Sequence, residues 1–176
     1  MSILMRDPLA EFLGAAEAGR IEYSYGDAVK LTGHSCPTVA GAYVAIRDAL
    51  GQLYPGEIPE RGAIRVELRE PLHEGVAGVV ASVAGLITGA AGEGGFKGIA
   101  GRFGRRGLLA FGAPIAADLR FTRLDTGASV EVDLPRASPS PELIAHLRRA
   151  LSPDAPAAER DGFARSWQAR VAAMLP

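Results

Sequence analysis

The stretch Leu119-Arg120-Phe121-Thr122-Arg123-Leu124-Asp125-Thr126-Gly127-Ala128-Ser129-Val130-Glu131-Val132-Asp133-Leu134 decides the fold class. Leu119 to Leu124 reads as a strand and Asp125-Thr126-Gly127 as a turn. Val130, Val132 and Leu134 then alternate with Glu131 and Asp133, the period-two pattern of a chain with one buried and one wet face. An antiparallel hairpin follows. Upstream, Ile64, Val66 and Leu68 alternate with Arg65, Glu67 and Arg69, giving the clearest strand over 63–69, and Leu108 to Phe111 adds another.

Helices surround these strands. Asp7-Pro8 is a good helix start, a carboxylate acceptor followed by a residue of fixed φ, and predicts a helix from Pro8 to about Ala18. Ser35-Cys36-Pro37 opens a second, in which Val39, Ala40, Tyr43, Val44, Leu50 and Leu53 recur near helical spacing until Gly51 and Pro55-Gly56. The apolar, small-residue run from Val76 to Thr88 reads as a buried helix packed on the sheet. Ser140-Pro141-Glu142 starts a helix to about Leu151, and an amphipathic helix from about Ala157 to Met174 carries Phe163, Trp167 and Val171 at spacing four. Without a regular βαβ rhythm, the class is α+β: a largely antiparallel sheet with packed helices and a C-terminal helical extension over about 139–176.

The 176 residues, 48% of them hydrophobic, are read as a single domain over 1–176 with a core that needs no disulfide or metal staple. A formal net charge of -1 gives no overall field for nucleic acid or an anionic membrane, so neither is a predicted partner. Cys36 is the single cysteine, which excludes an intramolecular disulfide and fits a reducing cytoplasm. Arg6, Asp7 and Glu11 interrupt what a signal peptide would keep apolar, and no later apolar run of spanning length lacks glycine or charge, so no targeting or transmembrane segment is read.

The chemistry concentrates at Gly33-His34-Ser35-Cys36-Pro37. Proline holds the residue before it extended, and in extended chain residues two apart point to one side, so His34 and Cys36 are positioned to converge on one ion. The competing explanation is a small buried thiol beside a polar loop histidine, since two ligands fall short of a zinc set. His73 and Glu74, just past the clear strand, are candidates for a third ligand or a general base; the competing explanation is an exposed polar turn, which suits Glu74 better than His73. His146 reads as a helix-surface residue.

Glycine occupies every third position from Gly89 to Gly107, with Lys97, Arg102, Arg105 and Arg106 interspersed. Such a loop brings bare N–H groups near an anion, and Lys97 and Arg102 are the candidate substrate-binding residues; the alternative is a solvated, mobile loop. Walker spacing and a dinucleotide fingerprint are both missing, as are a serine elbow, a molybdopterin motif and the cysteines an iron–sulfur cluster needs.

The Gly33–Pro37 motif, followed by Ala40-Gly41-Ala42-Tyr43-Val44-Ala45, resembles the His-Gly-His-x-Cys-Pro-Gly signature of the FmdE-like family, named after the E polypeptide of formylmethanofuran dehydrogenase. The later order, Leu86-Ile87-Thr88-Gly89, the loop with Lys97, Gly107 to Phe111 and the Asp125-Thr126-Gly127 turn, is similar too, so the likeness covers about 20–134. It implies a zinc-like divalent transition metal at a cleft, held by His34 and Cys36. Thr32, Thr38 and Ala90 stand where the family has histidine, glycine and cysteine, which leaves His73 as the leading replacement ligand, with Glu74 or Glu93 behind it, or else a lost metal site. The resulting expectation is a stand-alone metal-binding homodimer acting on a small anionic substrate, with His73 or Glu74 moving protons. The alternatives are a non-catalytic accessory or docking module of a larger redox enzyme, and a metal-free binder of an anionic small molecule.

Overall fold

The hairpin at 119–134 forms half of the larger sheet in the computed structural model, which describes residues 2–176. Element labels follow chain order. The molecule begins with strand β1 (Ser2–Arg6) and the five-residue helix α1 (Pro8–Phe12); a 3-10 turn at Glu17–Gly19 leads into β2 (Arg20–Ser24) and helix α2 (Tyr25–Thr32). Then come α3 (Pro37–Leu53), β3 (Ile64–Leu68), α4 (Ala77–Thr88), β4 (Leu109–Ala110), β5 (Leu119–Arg123), β6 (Ser129–Val132), α5 (Pro141–Ala150) and α6 (Ala157–Ala172).

Two sheets result. β1 and β2 make an antiparallel ribbon in the register Ser2↔Ser24 to Arg6↔Arg20. The other sheet has the order β4-β3-β5-β6, antiparallel except for the short β3–β4 pair, which is parallel and bridged by α4. The class is therefore α+β, as predicted, and the strand over 63–69 lies at the sheet's interior.

Helix α3 is the spine of the core. Its whole surface is covered over most of its length, with Tyr43, Ile46 and Leu50 essentially buried, and it packs on α4 and on the β5–β6 face. Val80, Val83 and Ile87 of α4 meet Ile64 and Val66 of β3 in the same cluster, where Phe121 and Leu119 of β5 complete it. Each such side chain contributes about 1.5–3 kcal/mol of burial.

The predicted helix over Pro8 to Ala18 is shorter than read. Asp7 caps it as expected, accepting from the Leu9 and Ala10 N–H groups, but α1 stops at Phe12 and the chain reverses through Gly14 (φ 69) and Ala18 (φ 49). The reversal lets β2 pair with β1. Helix α2 also goes beyond the sequence reading; a reciprocal cap fixes its start, with Asp27 N–H on Ser24 Oγ (3.3 Å) and Ser24 N–H on the Asp27 carboxylate (2.9 Å).

The C-terminal pair differs in kind from this core. α5 buries no residue and α6 only Val171, so the two helices lean mainly on each other, with α6 touching α3. Among the described residues no helix is long and apolar enough to cross a membrane.

Candidate functional site

Cys36 has the extended backbone that the following proline demands, φ −149 and ψ 165, and serves as the N-cap position of α3. Its half-buried thiol lines a cleft of about 550 Å³. His34 takes another course: it is exposed, its Nδ1 lies 3.0 Å from the Thr32 carbonyl oxygen, and it is not part of the cleft wall. Between them, Ser35 ties the motif to α6. Trp167 Nε1 donates to the Ser35 carbonyl oxygen (3.0 Å), Ser35 Oγ donates to Gln168 (2.9 Å), and the Tyr25 hydroxyl lies 2.8 Å from Ser35 Oγ. Burial raises the Tyr25 pKa above its ordinary value against the opposing hydrogen bond to Ser35, and because Ser35 gives its one hydroxyl hydrogen to Gln168, the Tyr25 hydroxyl donates into this chain.

Three parts of the chain build the cleft. One wall is the start of α3, with Cys36, Pro37, Thr38 and Gly41; another is the segment leaving β6, from Leu134 to Ala137; the roof is α5 and α6, through Leu143, Ile144, Leu147, Phe163 and Trp167. Its surface is largely hydrocarbon, and the charged groups are few: Glu70, Arg136 and Arg170. A volume of this order suits a small molecule.

The two arginines are held differently. Arg136 pairs with Asp118 (2.8 Å), a buried carboxylate that also accepts from Arg69 and from the Leu134 N–H. Burial pushes the Asp118 pKa up, yet the Leu134 N–H and the Arg136 guanidinium bring it below the ordinary value, so Asp118 remains an anion that fixes the departing strand. Arg170 donates through Nη2 to the Ala137 carbonyl and lies 5.4 Å from the Trp167 ring centroid. Its Nε is buried without a hydrogen-bond partner. Arg170 as a residue stands where this cleft adjoins a neighbouring one of about 550 Å³, Ala137 and Leu143 also being common to both.

The other predicted site residues lie elsewhere. His73 and Glu74 are exposed in the turn before α4, Glu93 is exposed with Arg106 3.4 Å away, and Lys97 is exposed on the glycine loop. Arg102, also exposed, lines a separate cleft. Among the described residues no group of three or more His, Cys, Asp or Glu side chains is arranged to hold a metal ion, so His34, Cys36 and His73 are not brought together. His146 is more than a surface residue: its ring packs edge-on against Phe163, and Nε2 lies 3.1 Å from the Glu159 carbonyl oxygen, joining α5 to α6.

Sequence reasoning missed Glu70, Arg136 and Arg170. The available signal for Arg170 was its position three residues after Trp167 on the last helix, and for Arg136 its place just beyond a strand end. Compared with protein-family models, with curated proteins and with solved structures, the chain gives no significant match in any of the three.

Proposed function

We propose that the protein binds a small molecule with an apolar body and an anionic head in the cleft between α3 and the α5–α6 pair. The observation that carries this reading is the orphaned Nε of Arg170, a residue of a largely hydrocarbon cleft whose other charged groups are Arg136 and Glu70. A buried donor without an acceptor costs about 1–3 kcal/mol, and a ligand carboxylate would remove that cost while adding a charge-assisted hydrogen bond. The apolar lining supplies affinity, and the arginines supply orientation. The lone thiol fits residence in a reducing cytoplasm.

Trp167 is the only tryptophan and lines the cleft, so its emission reports occupancy directly. Titration with octanoate is expected to change it saturably. Octanamide, which lacks the charge, binds at least about tenfold more weakly, and Arg170→Gln brings octanoate down to the amide's level. No saturable response, or equal affinity for acid and amide, overturns the proposal.

A second reading keeps a metal, because Cys36 and Glu70 place two donor types on one cleft. Metal analysis after refolding with zinc and dialysis separates the two. Substoichiometric zinc fits the small-molecule reading; one equivalent that Cys36→Ala abolishes installs the metal centre instead.

A further inference from the structure

A cleft of about 400 Å³ opens beside the glycine loop, between the start of α1, residues 60–62 and residues 102–105. It shares no lining residue with the cleft beside Cys36. Three guanidiniums line it: Arg61, Arg102 and Arg105.

Their ion pairs are unevenly supplied. Arg61 and Arg105 both bind the single carboxylate of Asp7, at 2.8 and 2.7 Å, and Glu60 is engaged by Arg6 at 3.1 Å. Arg102 has no ion pair among the described residues and rests 4.7 Å from the Phe103 ring centroid. The wall is left with an excess of positive charge.

Arg105 is only 6% exposed, and its Nη1 has no hydrogen-bond partner. The guanidinium sits over two glycines: a Cβ would fall 1.9 Å from Nη1 at Gly62 and 2.5 Å from it at Gly89, both at positive φ. Any side chain at either position would displace it. A buried cation with an unused N–H, beside two more guanidiniums, is the arrangement that recognises a tetrahedral dianion.

We infer that this cleft binds a phosphate group, with Arg102 as the accessible hand and Arg105 as the fixed one. Phe103 borders the same space, its ring stacked on Phe12 with centroids 5.4 Å apart and lying under the Arg102 guanidinium. The glycine loop thus acts through the side chains it delivers, Arg102 and Arg105. Lys97, on the same loop, takes no part.

Isothermal titration of the full chain at low ionic strength tests this, with inorganic phosphate and phenyl phosphate as probes. One phosphate binds per chain, and Arg102→Ala, at an exposed position that leaves the fold intact, weakens it at least about tenfold. Lys97→Ala binds as the parent does. Tighter binding of phenyl phosphate than of inorganic phosphate assigns a monoester; equal binding assigns the free ion. Absence of binding, or equal weakening by Lys97→Ala and Arg102→Ala, overturns the site. Because the octanoate titration reads a different cleft, either proposal can fail without the other.

Discussion

Asp7 takes hydrogen bonds from the Leu9 and Ala10 N–H groups and from Arg61 and Arg105, and it is almost fully buried. Burial raises its pKa, but the Arg61 hydrogen bond, the Ala10 N–H and the Arg105 charge outweigh that and set it below 3.8. A carboxyl with a depressed folded-state pKa contributes stability that is complete above its unfolded pKa and vanishes as pH falls through the folded one. Asp7→Asn leaves two guanidiniums without their counter-ion and costs about 3 kcal/mol at neutral pH, the size expected when one partner of a buried pair is removed. In urea melts the gap between parent and variant is complete at neutral pH and narrows as acid takes the carboxyl through its unfolded titration range and then its lower folded one; a gap that stays constant in acid would show that charge is not its source. The cap was legible in Asp7-Pro8, since capping is local. The ion pairs were not, because Arg61 and Arg105 lie 54 and 98 residues away.

At the scale of the element, α3 approaches the chain leaving β6 so closely that only glycine fits at position 41. A Cβ there would lie 2.6 Å from the Pro135 carbonyl oxygen, whereas a Cβ at Gly51, on the same helix, meets nothing within 4 Å. Gly41→Ala should therefore destabilise by about 1–3 kcal/mol through overpacking, while Gly51→Ala should stabilise by about 0.5–1 kcal/mol through helix propensity. Denaturation midpoints moving the same way in both variants would refute the close approach. Helix α3, strand β3 and the β5–β6 hairpin could be read in advance because their periodicity and punctuation lie within each segment. The β1–β2 ribbon could not: Ile3, Leu4 and Met5 make a run too short to be periodic, and its register is set by residues some twenty positions later. Helix α2 carried a readable cap in Ser24 and Asp27 but too little apolar pattern to draw notice.

Across the whole molecule, stability is divided unevenly. The core around α3 and α4 buries residues on every turn, whereas α5 and α6 together bury Val171 and hang from Ser35 by Trp167 and Gln168. The cleft beside Cys36 was invisible in the sequence for the same reason: its roof and floor are more than a hundred residues apart, and no local pattern records their meeting. Opening the pair gives up roughly one buried valine, about 1.5–3 kcal/mol, and a few hydrogen bonds at about 1 kcal/mol each. Global unfolding of a domain this size costs about 5–15 kcal/mol, so the roof lifts well before the core melts. Amide hydrogen exchange should find α5 and α6 far less protected than α3 and α4, with protection of the pair rising when octanoate fills the cleft. Equal protection in all four helices would mean that the roof and the core form one cooperative unit, and a ligand would then need another way in.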